Sequence, residues 1–137
     1  MVIVCKKLKI SVSALAVLLA AFLLDAALLG WVLAAAAAHE CGHALALLIF
    51  GARVSELRVE PWGFKLTVDR PLSYGKEIAA AAAGPAASLL FAALLSAAGR
   101  FFVLPGLYLA SGVSLVFCIF NALPVLPLDG GQILSNA

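Results

Sequence analysis

Charged residues are scarce in this 137-residue chain. Only 12% of the residues are Asp, Glu, Lys or Arg, and 65% are hydrophobic. Water-soluble domains contain about 25% charged and about 45–50% apolar residues, so this composition excludes a lone water-soluble fold. The net charge of +2 provides no basic surface for nucleic acid, which excludes a nucleic-acid partner. The sequence therefore predicts a membrane protein with a single domain.

Cysteine and histidine are scarce as well. The three cysteines, Cys5, Cys41 and Cys118, are odd in number and lie in or beside apolar runs. This pattern excludes a disulfide framework and is typical of small buried hydrophobic side chains. The whole chain contains only two histidines, His39 and His43, and both lie in one apolar run.

Four apolar segments are candidates for crossing the bilayer, which takes roughly 20 residues at 1.5 Å each. We expect spanning helices near residues 8–24, 26–50 and 77–98, with Asp25 at the first turn. The fourth helix follows Pro105 and ends at about Asn121, and residues 101–104 could extend it.

The basic residues predict the orientation. Eight of the nine lie before the first helix or between the second and third, and only Arg100 falls on the opposite side. Because basic loops stay in the cytoplasm, we expect a multi-pass protein of a bacterial-type cell membrane with its N-terminus inside. The eight are Lys6, Lys7, Lys9, Arg53, Arg58, Lys65, Arg70 and Lys76.

The connection between the second and third helices alternates apolar and polar residues. Alternation over residues 54–60 and 64–68, separated by Pro61-Trp62-Gly63, indicates a β-hairpin. The alternative is a solvated connecting loop. We favour the hairpin, lying on or dipping into the cytoplasmic face.

The segment His39-Glu40-Cys41-Gly42-His43 is the strongest chemical signal. Histidines four apart on a helix project from one face and suit a single metal ion, and Glu40 could act as general base on its water. Counted from Phe50, the two histidines lie roughly 10 and 16 Å below the cytoplasmic surface. The alternative is a hydrogen-bonded packing cluster. Cys41 lies on a different side of the helix and is not expected to be a ligand.

A catalytic zinc takes three protein ligands and a water, so a third ligand must come from elsewhere. We favour Asp129, because the prolines and glycines around it break the helix and free its carboxylate to turn inward. The alternative is that Asp129 is a surface residue in a loop. The motif around it contains Asn121, Pro124, Pro127, Leu128, Asp129, Gly130 and Gly131.

The chain resembles the site-2 proteases, the intramembrane zinc metalloproteases of the M50 class. The histidine motif, Gly84-Pro85 on the third helix and the aspartate motif carry the resemblance. The PDZ-free layout and the turn at Pro61 are most similar to the stage IV sporulation protein FB branch. The expected fold is an all-α polytopic membrane protein with about four transmembrane helices, the hairpin between helices two and three, and a broken helix carrying the aspartate motif.

The resemblance implies a role for each motif residue. His39, His43 and Asp129 would hold one Zn²⁺, Glu40 would activate the water, and Asn121 would position the substrate strand or stabilise the transition state. The substrate would be a membrane-spanning or membrane-tethered protein cut near its cytoplasmic end, with the hairpin edge receiving it, and an inhibitory membrane protein is a candidate partner.

The chain departs from the family pattern at two places. The family often has asparagine where this chain has Ser88, and family members continue with further helices beyond the equivalent of Ala137. We interpret residues 1–137 as a single transmembrane metalloprotease core, either truncated or minimal. Two other functions stay open. One is an inactive zinc-binding relative or regulatory subunit, and the other is a metal or proton conduit. Since conduits spread ionisable groups through the span, convergence at one depth favours the protease.

Overall fold

The structure is a computed structural model that describes residues 7–10, 19, 21–23, 25–60, 63–70, 72–123 and 129. In chain order, these residues form six complete elements. They are strand β1 (Lys7–Ile10), helix α1 (Ala26–Ile49), strands β2 (Val54–Glu60) and β3 (Gly63–Val68), and helices α2 (Tyr74–Phe102) and α3 (Pro105–Asn121).

The predicted start of the first helix at residue 8 is wrong, because β1 occupies that position. Lys7–Ile10 alternates basic and apolar residues and pairs in parallel with β2, with Lys7 opposite Glu56 and Ile10 opposite Val59. Residues 7–10 therefore form a strand, as their alternation of basic and apolar side chains favours, and not the start of the apolar helix. Residues 19 and 21–23 are helical, and the rest of the predicted span lies outside the described residues.

Helix α1 begins and ends as the sequence predicts. The Asp25 carboxylate caps it by accepting hydrogen bonds from the N–H groups of Ala27 and Leu28 at 2.9 and 3.0 Å. At the other end, Gly51 adopts φ 74°, a left-handed conformation that glycine takes without strain. The N–H of the following Ala52 bonds to the carbonyl of Leu47, which closes a Schellman motif.

The predicted hairpin is present, and the solvated-loop alternative is wrong. Strands β2 and β3 pair antiparallel, with Glu60 opposite Gly63 and an irregularity between Val54 and Glu56. With β1 on the other edge of β2, they form a three-stranded sheet rather than an isolated hairpin. Residues 61 and 62 of the predicted turn lie outside the described residues.

Helices α2 and α3 form an antiparallel pair joined by two residues. Helix α2 runs over 29 residues and passes through Pro85 without ending, so it is longer at both ends than expected. Phe101 and Phe102 belong to α2 rather than extending the fourth predicted helix. In the described part of the chain, α1 and α2 are long and apolar enough to cross a membrane, and α3, with 17 residues, is shorter.

The helices place small and polar side chains inside and large apolar ones outside. Ala35, Ala92 and Ala110 are at most 2% exposed, whereas Leu45 and Leu90 are about 60% exposed. Close approach through small residues is typical of helices in lipid, where large apolar side chains can face the acyl chains. The arrangement favours a membrane protein over a water-soluble one.

Four residues of α2 at intervals of four line its inward face: Ala80, Gly84, Ser88 and Ala92 are all buried. This spacing keeps them on one side of the helix. The carbonyl of Ala92 accepts a hydrogen bond from the buried Ser111 hydroxyl of α3 at 2.8 Å. Helix α2 is therefore the central helix of the three, and the other three positions of this face lie against α1.

Of the predicted broken helix after α3, the structure describes Asp129, which is helical. Helix α3 ends at Asn121, and a turn and a bend follow at Ala122 and Leu123. The two prolines and two glycines of the motif lie outside the described residues.

Candidate metal centre

The two histidines of α1 present their rings on one face, as their spacing predicts. The ring centroids of His39 and His43 lie 4.8 Å apart, with the ring planes at 77°. Their Nε2 atoms are 3.1 Å apart. His39 is 3% exposed and His43 is partly buried, so the pair lies inside the helical packing.

The carboxylate of Asp129, which follows His43 by 86 residues in the sequence, lies beside this pair. Its Oδ2 lies 2.9 Å from Nε2 of His39 and 3.1 Å from Nε2 of His43. The three atoms thus form a nearly equilateral triangle. The alternative that Asp129 is a surface loop residue is not what the structure shows, since its side chain is 13% exposed.

The outer nitrogen of each imidazole meets a different partner on α2. Nδ1 of His43 lies 2.7 Å from the backbone carbonyl oxygen of Ala80, and Nδ1 of His39 lies 2.8 Å from the Ser88 hydroxyl. A carbonyl oxygen can only accept, so Nδ1 of His43 carries the proton. In a neutral ring, Nε2 of His43 then has a lone pair directed at the Asp129 carboxylate, which has only lone pairs to offer.

This donor set fits a metal ion. Tetrahedral ligation at about 2.0–2.2 Å separates neighbouring ligand atoms by about 3.3–3.6 Å, a few tenths of an ångström more than the 2.9–3.1 Å found here. Lone pairs that converge repel one another unless a cation lies among them. In addition, metal-ligating histidines usually donate their outer N–H group to a protein acceptor. In the described part of the chain, His39, His43 and Asp129 are the group that could hold an ion.

Gly84 lies directly beneath both imidazoles. A Cβ atom at this position would meet Nε2 and Cε1 of His43 and Nε2 of His39. Glycine therefore lets the α2 backbone approach the two imidazoles. On α1, Gly42 has the same effect, because a Cβ there would meet the backbone carbonyl of Ala83.

Helix α3 places an aromatic ring beside His39. The Phe117 ring lies 6.3 Å from it, centroid to centroid, with the two planes tilted by 56°. One turn later, Asn121 donates from Nδ2 to the Phe117 carbonyl at 3.0 Å. The structure therefore places Asn121 at the end of α3, with its amide bound to its own helix.

Glu40 and Cys41 occupy different sides of α1. Glu40 is partly buried and precedes His43 by three residues, a spacing that makes the two side chains neighbours on a helix. Cys41 is exposed.

Sequence reasoning missed the α2 partners of the imidazoles. In the sequence analysis, Gly84 belonged only to the Gly84-Pro85 motif and Ser88 was only a departure from the family pattern. The Ala80 carbonyl was not considered. The signal available was the four-residue interval itself. Positions 80 and 88 lie about one helical turn on either side of position 84, and therefore on the same face of the helix.

The pattern of the Peptidase M50B-like family matches residues 10–126. The chain belongs to the M50B peptidase family. The resemblance to site-2 proteases stated from the sequence is confirmed at this level, and the stage IV sporulation protein FB branch stays a prediction. Membership in a family of membrane proteases, together with the two long apolar helices, supports a membrane protein.

Relatives with zinc metalloprotease names match much of this M50B chain. A zinc metalloprotease of Methanocaldococcus jannaschii is 31% identical over 101 residues, which cover 70% of this chain and 30% of the relative. A Synechocystis sp. protein that carries a zinc metalloprotease name is 32% identical over 109 residues, 75% of this chain and 29% of its own length. This chain therefore spans about 30% of the length of these curated relatives.

The fold also matches a solved structure. The site-2 protease from Methanocaldococcus jannaschii superposes with a TM-score of 0.78 at 24% identity, covering 93% of this chain and 64% of that one. This likeness shows that the M50B chain has the fold of that protein.

Proposed function

We propose that this chain is an intramembrane zinc endopeptidase that cleaves membrane-spanning or membrane-tethered proteins near the cytoplasmic side of the membrane. The observation that carries the proposal is the triangle formed by two imidazole nitrogens and one carboxylate oxygen, with sides of 2.9–3.1 Å. It lies among apolar helices in a chain of the M50B family.

His39, His43 and Asp129 would hold the ion, leaving a fourth position for water or substrate. Zinc in such a site supplies two effects, lowering the pKa of a bound water to about 7 and polarising the scissile carbonyl. The Ala80 carbonyl and the Ser88 hydroxyl hold the outer nitrogens of the two rings. Both rings are thereby fixed against one helix, which favours a preorganised site.

Glu40 is the proposed general base. It precedes His43 by three residues, is partly buried, and belongs to the HExxH motif, in which the glutamate takes the proton of the attacking water. The same carboxyl would return the proton to the leaving amine. General acid–base catalysis of this kind contributes typically 10²–10⁴-fold to the rate.

The substrate segment would be extended and would add to the edge of the sheet. Strand β3 has β2 on one side and, in the described part of the chain, no strand on the other. Such an edge can pair with an added strand. The base of the hairpin packs close to the metal group, because Val68 at the end of β3 belongs to the apolar cluster around Leu47 and Ala80.

The orientation of the protein belongs to the same proposal. Eight of nine basic residues precede the first predicted helix or lie between α1 and α2, which by the positive-inside rule puts the N-terminus, the sheet and the opening of the site in the cytoplasm. Asn121, at the end of α3, would contact the substrate strand or the transition state after leaving its own carbonyl partner.

The test is cleavage in proteoliposomes by purified zinc-loaded protein. The substrates are a panel of single-span reporter proteins that differ in the cytoplasmic half of the span and carry a fluorescent label at each end. Wild type should cut at least one reporter within the span, and Glu40→Gln should retain zinc and lose cleavage. The neighbouring Cys41→Ser changes an exposed side chain on another side of α1 and should cleave normally.

Two results would contradict the proposal. Cleavage that survives Glu40→Gln would remove this carboxylate from the mechanism. Zinc-loaded wild type that leaves every reporter intact would favour the second candidate, a catalytically inactive zinc-binding relative or regulatory subunit. The intact Glu40 in the motif favours the enzyme.

A further inference from the structure

The His39 ring has a side-chain partner that the reaction itself does not use. Its Nδ1 lies 2.8 Å from Oγ of Ser88 on α2. Both residues are sealed from solvent, with Ser88 0% and His39 3% exposed. Water therefore cannot take the place of either group in this contact.

The proton arrangement gives this contact a direction. For Nε2 of His39 to share a cation with Nε2 of His43 and Oδ2 of Asp129, the imidazole proton must reside on Nδ1. A serine hydroxyl can accept that proton in a hydrogen bond. Without an acceptor, a buried N–H would be unsatisfied, which favours moving the proton to Nε2 and blocking the lone pair that faces the metal.

We propose that Ser88 is a positioning residue, whose hydroxyl accepts the Nδ1–H of His39 and holds that ring in the tautomer and orientation that present Nε2 to the metal. The inference rests on the proposed zinc site and adds to it a residue to which sequence reasoning gave no part in metal binding.

The two histidines differ in how they are held. His43 donates to a backbone carbonyl, that of Ala80, and no side-chain substitution removes that acceptor. His39 depends on the Ser88 side chain. The outer hydrogen bond of His39, unlike that of His43, can therefore be removed by substituting a side chain that is not itself a ligand.

A competing explanation is that Ser88 is merely small. The close approach of α1 and α2 at Gly84 needs small residues on this face of α2. If size were all that mattered, alanine would serve equally well at position 88. Ser88→Ala therefore separates hydrogen bonding from packing.

The experiment measures zinc affinity by chelator competition with detergent-purified full-length chain. Ser88→Ala should bind zinc about 10–100-fold more weakly, the loss typical of removing an outer partner of a ligating histidine. Ser88→Thr, which keeps the hydroxyl, should restore most of the affinity. Ser114→Ala is the matched control, because Ser114 is also 0% exposed but donates to the Ala110 carbonyl of its own helix, and its zinc affinity should not change.

A spectroscopic readout reports the contact itself. With only two histidines in the chain, ¹⁵N-histidine labelling yields one Nδ1–H signal per ring in the zinc-loaded protein. Ser88→Ala should move the His39 signal and leave the His43 signal in place. A purely structural loss of packing would not select one ring.

Wild type and Ser88→Ala binding zinc equally tightly would overturn the role of Ser88 while leaving the proposed protease intact. A wild type that binds no zinc would instead overturn the metal site and the proposed function together. If Ser88→Ala loses helical circular dichroism, Ser88→Cys takes its place, since its sulfur fills similar space and is a weak acceptor. Wild-type affinity in that variant would overturn the proposal, and weaker binding would support it.

Discussion

Gly84 of α2 lies so close to His43 of α1 that a methyl group in place of its hydrogen would overlap Nε2 and Cε1 of the imidazole. Nε2 of His39 would be the next atom that this methyl group meets, 2.7 Å away. The atoms in question are those that face the proposed metal. The helix packing and the metal site are therefore one structure, and a change in one must disturb the other.

The first prediction follows from this contact. Gly84→Ala should lower zinc occupancy and proteolysis together, because the added methyl group pushes both Nε2 atoms from their positions beside Asp129. In an exposed helix, the same change would stabilise the protein by roughly 0.5–1 kcal/mol, so a loss of zinc cannot come from helix propensity. Zinc content after gel filtration and the cleavage rate are the two measurements.

The control for this substitution is Gly30→Ala on α1. A Cβ at Gly30 would meet nothing within 4 Å, so this variant should keep its zinc and be as stable as wild type or slightly more stable. Gly84→Ala with a full complement of zinc and normal cleavage would show that the imidazoles do not need the position seen here.

The second prediction concerns metal removal. A zinc ion held by His39, His43 and Asp129 would link α1 to the segment of Asp129, so zinc-loaded protein should unfold at a higher temperature than chelator-treated protein. The gain in the free energy of unfolding should be about 2.7 kcal/mol when free zinc is 100 times its dissociation constant. His43→Ala should abolish this stabilisation, and Asp129→Ala should reduce it strongly. Scanning calorimetry or thermal unfolding in detergent measures the shift. An undiminished shift in Asp129→Ala would place the third ligand elsewhere.

The third prediction tests the packing of α2 against α3. The buried Ser111 hydroxyl donates to the Ala92 carbonyl across the two helices at 2.8 Å, so Ser111→Ala should destabilise the protein by about 0.6–2 kcal/mol, the range for hydrogen bonds between helices in membranes. Unfolding in mixed micelles with increasing SDS fraction gives the free energy.

Ser114→Ala serves as control here too, since its hydrogen bond stays within α3 and does not join two helices. It should cost less than Ser111→Ala. The reverse order would mean that the bond between helices contributes little.

Local patterns in the sequence predicted the parts of the site that lie on one helix. The spacing of His39 and His43 fixes their common face wherever a helix forms, and the apolar run makes that helix long. The turn at Asp25 was likewise visible, because this charged residue interrupts two apolar runs. Asp129 could be selected because the prolines and glycines around it predict a break in the helix.

The remaining features depend on contacts between segments far apart in the sequence. That Ser88 would meet Nδ1 of His39, and Ala80 that of His43, depends on how far α2 is shifted along α1, which neither helix encodes alone. The strand at Lys7–Ile10 was missed because four alternating residues are a weak signal beside the apolar run that follows, and its partner β2 lies about 50 residues later. Parallel strands are not joined by a short turn, so no turn motif in the sequence predicts that they pair.

The measurement that tests the central claim most directly is zinc K-edge X-ray absorption on the purified full-length chain. One zinc per chain, surrounded only by nitrogen and oxygen at about 2.0–2.2 Å and showing histidine scattering, with the zinc absorption edge lost in His43→Ala, is the predicted result. Sulfur at about 2.3 Å, which would bring a cysteine into the shell, or a spectrum unchanged in His43→Ala, would contradict the assignment of His39, His43 and Asp129 as the ligands.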